Sequence, residues 1–220
     1  MNRHDRHQRL IDLLSERRTV GLHAAARVTG ASPATLRRDF ADLAEQGLAQ
    51  RFHGGIRLPH TDPMLPFAFR DHRFSEEKQR LAARAVTLLR PGDVLFIDGG
   101  TTTAHLAAAL PDIQLRVVTN SLRLAAMLDD RCRPGGLEVF VTGGSMYPRS
   151  GLLVGPVAAA SVEGYYADWA FLSIGGVDSQ GLFNTNEQVV EVERRMIACA
   201  GRVAVIADHS KLGRRAMCRV

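Results

Sequence analysis

The apolar positions of the chain fall into two regimes, a helical one up to about residue 58 and a strand-and-helix alternation after it. Leu10, Ile11, Leu13 and Leu14 recur at helical spacing and predict a first helix over 3–17. A second, short helix is expected at about 22–29, with Ala25, Ala26 and Val28 as its apolar contacts. The stretch "GASPATLRRDFADLAEQGL" carries a third. Ser32 is a good N-cap, Pro33 stands at the first helical position where its missing N–H costs nothing, and Gly47 supplies the stop. At about 100° per residue, Leu36, Phe40 and Leu43 share one face. Arg38 lies opposite with Ala34 and Ala41, flanked by Thr35 and Arg37. Beyond Gly47, Leu48, Gln50 and Phe52 alternate, then Ile56 and Leu58, around His53-Gly54-Gly55. That pattern predicts a two-stranded hairpin with Arg51 and Arg57 on its arms.

Residues 59–74 hold three prolines and little periodicity and read as a linker, with Phe67, Phe69 and Phe74 expected to dock on the second domain. From Ser75 a helix is predicted, acidic in its first turn, with Leu81, Ala85 and Leu88 on one face. Five near-continuous apolar runs come next, at 93–98, 115–120, 137–143, 169–175 and 202–208. Helical segments separate them at about 103–110, 121–130, 155–163 and 186–200. Strands buried on both faces and separated by helices predict an α/β fold with a mainly parallel sheet. The expected organisation is a helical domain ending in a hairpin over 3–58, a linker over 59–74 and an α/β domain over 75–220.

Charge sharpens this division. The chain of 220 residues carries a net charge of +5. Residues 1–58 hold ten arginines against six acids, and the rest is nearly neutral. A small basic module beside a neutral one points to an anionic polymer as partner of the first. Three scattered cysteines suggest a reducing compartment, no signal peptide or apolar span is visible, and a cytoplasmic protein without membrane contact is expected. No metal or cofactor motif stands out.

Two adjacent arginines on a helix read, taken alone, as a solvated face. Their setting says otherwise: two helices joined by a short Gly-containing turn, the second basic outward, then a Gly-tipped hairpin, make a winged helix-turn-helix. In the α/β part, ligands are expected at the carboxyl ends of the strands. Those ends carry Asp98, Gly99, Gly100 and the triplet Thr101, Thr102, Thr103; then Asn120 and Ser121; then Gly143 and Gly144; then Gly175. The threonines open a helix, where free N–H groups favour an anion. Any α/β fold needs glycines in such places, so no one of these loops decides the matter.

"SPATLRRDFADLAEQGLAQRFHGG" resembles the signature of the DeoR-type transcriptional regulators, a T-[IL]-R-R-D-L core followed by an R-x-H-G-G wing, with Phe40 standing where leucine is usual. The resemblance implies that Ser32, Thr35, Arg37 and Arg38 face DNA, with Arg51, His53 and Gly54 at the wing, and that Asp39 fixes the helix through an arginine. The family's sensor domain is similar to the ribose-phosphate isomerase and CoA-transferase folds. Its D-x-G-T-T, T-N, G-G and D-x-S-K-[FL]-G segments match 98–102, 119–120, 143–144 and 208–213. A phosphorylated sugar or related metabolite is thereby implied as effector, with Lys211, one of only two lysines, as its counter-charge. Glu187 is either an acceptor for sugar hydroxyls or an ordinary first-turn acid. Family members continue past the last of these segments through another strand and helix, so this sensor domain is expected to lack its usual end.

The function expected is that of a DNA-binding regulator, a repressor of a carbohydrate operon acting on double-stranded operator DNA as a dimer or tetramer. A sugar-phosphate isomerase-like enzyme with an N-terminal interaction module is the alternative, since Asp98, Glu187 and Asp208 offer acids at strand ends or helix starts. RNA binding is disfavoured by the scarcity of exposed aromatics for stacking.

Overall fold

A computed structural model describes residues 1–58, 67–148 and 150–220. The chain divides into two compact units, Met1–Ser75 and Glu76–Val220. The expected linker's residues 59–66 lie outside the described ones.

The first unit contains α1 (Arg3–Arg17), β1 (Thr19–Gly21), α2 (Leu22–Thr29), α3 (Pro33–Glu45), β2 (Gln50–Phe52), β3 (Gly55–Arg57) and α4 (Phe67–His72). Ser32 caps α3 as expected, its Oγ accepting from Thr35 N at 3.2 Å, and Gly30 closes α2 at φ 67°. Leu10, Ile11 and Leu14 of α1 and Leu36, Phe40 and Leu43 of α3 are buried in one core. Burying each such side chain contributes about 1.5–3 kcal/mol, which holds α3 by one face and leaves its other face free.

Several expectations change here. The wing is three-stranded, in the order β1-β3-β2, because Thr19–Gly21 pairs antiparallel with Gly55–Arg57. Gly55 approaches the Val20 carbonyl and lies under the Phe52 ring so closely that a side chain has no room. Phe52 itself is exposed. Val28 is exposed too, and Thr29 takes the buried place on α2. Phe69, expected to dock on the second domain, is instead fully buried in the core of the first.

The second unit contains α5 (Ser75–Val86), β4 (Val94–Ile97), α6 (Thr101–Ala108), β5 (Leu115–Thr119), α7 (Leu122–Leu128), β6 (Leu137–Val141), β7 (Ser145–Tyr147), β8 (Leu152–Val154), α8 (Pro156–Glu163), β9 (Ala167–Leu172), β10 (Gly176–Asp178), β11 (Gly181–Asn184), α9 (Glu187–Ala198), β12 (Ala200–Val205) and β13 (Cys218–Arg219). The five predicted strands form one parallel sheet in the order β12-β9-β4-β5-β6. Alternate residues face opposite layers. Leu95 and Ile97 pack with α6 and α7, whereas Phe96 packs with α8 and α9. Two features were not anticipated, the β7–β8 hairpin and a small antiparallel sheet ordered β10-β11-β13.

The stripe foreseen for α5 is also corrected. Leu88 lies past the helix end and is exposed, and the residues α5 buries are Lys78, Ala82 and Ala85. No helix among the described residues is long and apolar enough to cross a membrane.

The strand order positions the site. The chain runs outward through β4, β5 and β6, then returns to lay β9 against the free side of β4. Strand order reverses between β4 and β9, and a crevice opens at the carboxyl ends of two such strands.

Candidate functional site

On the first unit, α3 presents Arg37 and Arg38 to solvent, with Ser32 and Ala34 exposed ahead of them and Thr35 half-buried. The Ser32 hydroxyl lies 3.0 Å from that of Thr35, so the first turn is a fixed platform. Arg51, His53 and Gly54 are exposed at the wing, where Gly54 adopts φ 88° and its carbonyl accepts from Leu22 N at 2.9 Å. The β1–β3–β2 sheet thereby locks the wing to the start of α2.

Asp39 sits on the opposite side of α3, 2% exposed. Its partner is not the adjacent arginine but Arg6 of α1, which donates Nε to Oδ2 at 2.6 Å and NH2 to Oδ1 at 2.9 Å. His7 Nε2 lies 3.1 Å from Oδ1. Burial alone would raise the Asp39 pKa, but hydrogen bonds and charge from Arg6 and His7 outweigh it and hold the carboxyl below its usual range. The oxygens of Asp39 and Asp42 come within metal-ligand reach of His7, yet Arg6 and Arg3 already occupy them. The network fixes the pitch of α3 on α1.

On the second unit, the residues after β4 and β9 meet at the strand-order reversal. Asp98, buried, accepts from Ser173 N at 2.9 Å and Ser173 Oγ at 3.0 Å. Gly100 lies against the Ser173 side chain and Gly99 against Leu152 and Ser121, both too close for a Cβ. Thr103 closes the start of α6, its Oγ1 accepting from Gly100 N at 2.8 Å and donating to Gly100 O at 3.0 Å. Thr101 Oγ1 accepts from Lys78 Nζ at 3.1 Å. A cation therefore stands at the threonine triplet, and it comes from α5. Lys211 lies in the 3₁₀ turn His209–Lys211 after β12. That turn is tied to α5 through Glu77, whose Oε1 accepts from His209 N at 2.8 Å. The neighbours of both lysines thus bind one another at the carboxyl edge of the sheet.

The remaining candidates distribute around this centre. Ser121 caps α7 by accepting from Leu124 N. Asn120 donates Nδ2 to Leu153 O at 3.2 Å, and its buried Oδ1 has no partner among the described residues. Gly143 and Gly144 pack against Val157 and Ala158 of α8, and Gly175 packs against Asn184. Glu187 is exposed at the first turn of α9. Sequence reasoning missed Ser173, Lys78 and Glu193. Glu193, 2% exposed, accepts from Asn184 Nδ2 at 2.6 Å.

Two acids are perturbed here. Burial pushes Asp98 up to about 6 against the pull of its Ser173, Thr103 and Gly100 hydrogen bonds. Burial pushes Glu193 up to about 9, and the charge of Asp98 acts the same way. Both folded pKa values lie above the unfolded ones, so the folded state holds extra protons between about pH 4 and 9. The stabilisation tied to these protons is complete below that window and is lost as pH rises through it. The sensor unit's melting temperature should accordingly fall from pH 5 to pH 9, and Glu193→Gln should flatten the upper half of that decline. An unchanged slope in the variant would contradict the assignment.

Two family models and several known regulators match the chain. Residues 6–62 match the DeoR-like helix-turn-helix domain, and residues 73–220 match the DeoR C terminal sensor domain. A glycerol-3-phosphate regulon repressor of Escherichia coli K12 is 34% identical over 219 residues, covering 99% of this chain and 86% of the relative. The HTH-type transcriptional repressor CsqR of the same organism is 35% identical over 210 residues, covering 94% and 78%. The HTH-type transcriptional repressor GlcR of Bacillus subtilis 168 is 30% identical over 205 residues, covering 93% and 78%. Among solved structures, ribose 5-phosphate isomerase A of Methanocaldococcus jannaschii superposes with a TM-score of 0.45 at 19% identity, covering 63% of this chain and 55% of the enzyme. The chain thus spans little more than half the length of that structure. With one family domain on each of its two units, the chain belongs to the DeoR family of DNA-binding transcriptional regulators.

Proposed function

We propose that the chain is a cytoplasmic repressor of a carbohydrate operon, released from its operator by a phosphorylated sugar or related metabolite. Its relatives named above are repressors, one of a glycerol-3-phosphate regulon, which favours this over activation. On this reading α3 enters the major groove with Thr35, Arg37 and Arg38 toward DNA, while Arg51, His53 and Gly54 bring the wing to the backbone. A module of this size offers too little surface for tight specific binding by itself. A dimer or tetramer joined through the sensor units, on repeated or palindromic half-sites, meets that need.

The observation that carries the effector reading is Lys78, a lysine 2% exposed whose ammonium donates to a threonine hydroxyl at a helix start. A desolvated ammonium held beside helix N–H groups attracts an anion more strongly than the same groups do in water. Thr101 and Thr102, the N–H groups of α6 and Lys78 together suit a phosphate dianion. Asn120 and Ser121 border the same loop, and Lys211 lies at the same edge of the sheet. Asp98 and Thr103, which hydrogen-bond within the loop, hold its shape, and Gly99, Gly100 and Gly175 allow the close packing. Gly143, Gly144 and Glu187 complete the rim. The family places the chain among regulators rather than enzymes, so the isomerase alternative is set aside.

Arg38→Ala tests the DNA half. Both arginines stand clear of the core, so the fold should persist and operator binding should weaken by about 1–3 kcal/mol if a base contact is lost. Unchanged affinity across several salt concentrations would refute the role of this helix face.

A further inference from the structure

The sensor unit contains a buried acid that the phosphate site does not use. Glu193 lies on the inward side of α9, and while its Oε1 accepts from Asn184, its buried Oε2 has no hydrogen-bond partner among the described residues. A carboxyl oxygen left so costs stability that an apolar side chain of similar length would not. A buried oxygen orphaned in this way is one that a bound molecule can satisfy.

Its position says which molecule. Asn184 packs on Gly175, where a Cβ would stand 3.3 Å from the Asn184 Cα. Gly175 is two residues past Ser173, whose N–H and hydroxyl hold Asp98. Glu193 therefore stands behind the β4–β9 crevice, close enough for the charge of Asp98 to act on it. Of the other charged groups of its helix, Arg195 pairs with Glu163 and Glu191, Arg194 donates to Arg219 O, and Glu187 is exposed at the first turn. Asp98 accepts from Ser173 N, Ser173 Oγ and Gly100 N, whereas Glu193 accepts from Asn184 alone, so the negative charge of the pair is better held on Asp98 and the proton on Glu193. A protonated carboxyl offers an O–H to a ligand, where a carboxylate would offer only acceptors.

We propose that Glu193 reads the hydroxyls of a phosphorylated polyol, its Oε2 donating to a hydroxyl oxygen of the ligand while the phosphate rests at the start of α6. This rests on the phosphate reading above and extends it from the phosphate to the carbon chain. It also accounts for the missing partner: the ligand supplies it.

The test compares hydroxylated and hydroxyl-free phosphate monoesters on the full chain by calorimetry. The probes are glycerol 3-phosphate, glucose 6-phosphate, propyl phosphate and inorganic phosphate. The wild type should bind at least one hydroxylated monoester tenfold or more tighter than propyl phosphate. Glu193→Met should abolish that preference, leave inorganic phosphate within twofold, and raise the melting temperature, because an acid with one orphaned oxygen is replaced by an apolar chain and the half-buried Asn184 can turn to water. Glu193→Gln, whose amide also donates, should keep most of the preference. A preference that survives Glu193→Met, or a melting temperature that falls in that variant, overturns the proposal while the phosphate site stands. Failure of all four probes to bind overturns the phosphate reading and this proposal together.

Discussion

Asp39→Ala should unfold the DNA-binding unit at temperatures where the sensor unit is still intact. The substitution leaves Arg6 bidentate to nothing in a site where its side chain is 13% exposed and Asp39 was 3%. Breaking a buried pair from one side costs about 3–5 kcal/mol, because the remaining charge stays buried without compensation. For a unit of this size each kcal/mol moves the melting temperature by about 4–8 °C, so a loss of more than about 12 °C is expected. Operator binding should fail with it, since α3 loses the contact that sets its pitch on α1. The paired variant Arg6→Met with Asp39→Leu removes both charges and should recover much of the stability. The pair also predicts a pH response opposite to that of the sensor acids. Asp39 has a folded pKa below its unfolded value, so its stabilisation is present above about pH 4 and disappears as pH falls through the lowered value. Calorimetry resolving two transitions checks all of this. A first transition in Asp39→Ala within a few degrees of wild type would contradict it.

Lys78→Met should leave operator binding intact and abolish the response to the effector. Methionine has similar length and fills the same buried channel without a charge, so the packing of α5 on the sheet is retained. What is lost is a charge-assisted hydrogen bond to phosphate, worth about 1.5–3 kcal/mol, or roughly ten- to 150-fold in affinity. The variant should repress at effector concentrations that release the wild type. Lys211→Met, one turn of chain away from the Glu77–His209 contact, should weaken the response less. A Lys78→Met protein with undiminished response would transfer the anion's counter-charge to another residue.

How far the sequence carries to the site depends on which interactions decide each residue's place. The inner strands β9, β4 and β5 were readable because a strand covered on both faces must be apolar along its whole length, and "DVLFID" has no competing helical spacing. The edge strands β6 and β12 were located by the same apolar runs, but their expected burial on both faces does not hold, since Phe140, Val141, Val203 and Val205 are exposed. The arginine face of α3 was readable because its cap, its stripe and its stop are all local. The strand Thr19–Gly21 was not, since three residues carry no period and its partner lies more than thirty positions on. Lys78 was hidden for a different reason. In "SEEKQR" a lysine looks like part of a solvated face, and only the packing of α5 on the sheet buries it. The sole local hint was its rarity, two lysines against twenty-six arginines. Glu193 in "VEVERR" reads as a surface acid in the same way, and Ser173 as an unremarkable strand end. Phe69 illustrates the converse, an apolar residue whose burial was foreseen but whose core was not. Local pattern located the elements; which unit and which face a lone polar or aromatic residue joins was decided by topology.

On the proposed function, one ligand chemistry on the sensor unit controls one DNA surface on the other. Fluorescence anisotropy of labelled DNA from immediately upstream of the chain's own gene, titrated with the full-length protein, measures it directly. Each titration is repeated with phosphorylated sugars and with the same sugars lacking phosphate. Tight, salt-dependent binding is expected, which at least one phosphorylated sugar weakens tenfold or more and its unphosphorylated counterpart leaves unchanged. Equal effects of phosphorylated and free sugars, or DNA binding indifferent to both, would contradict it.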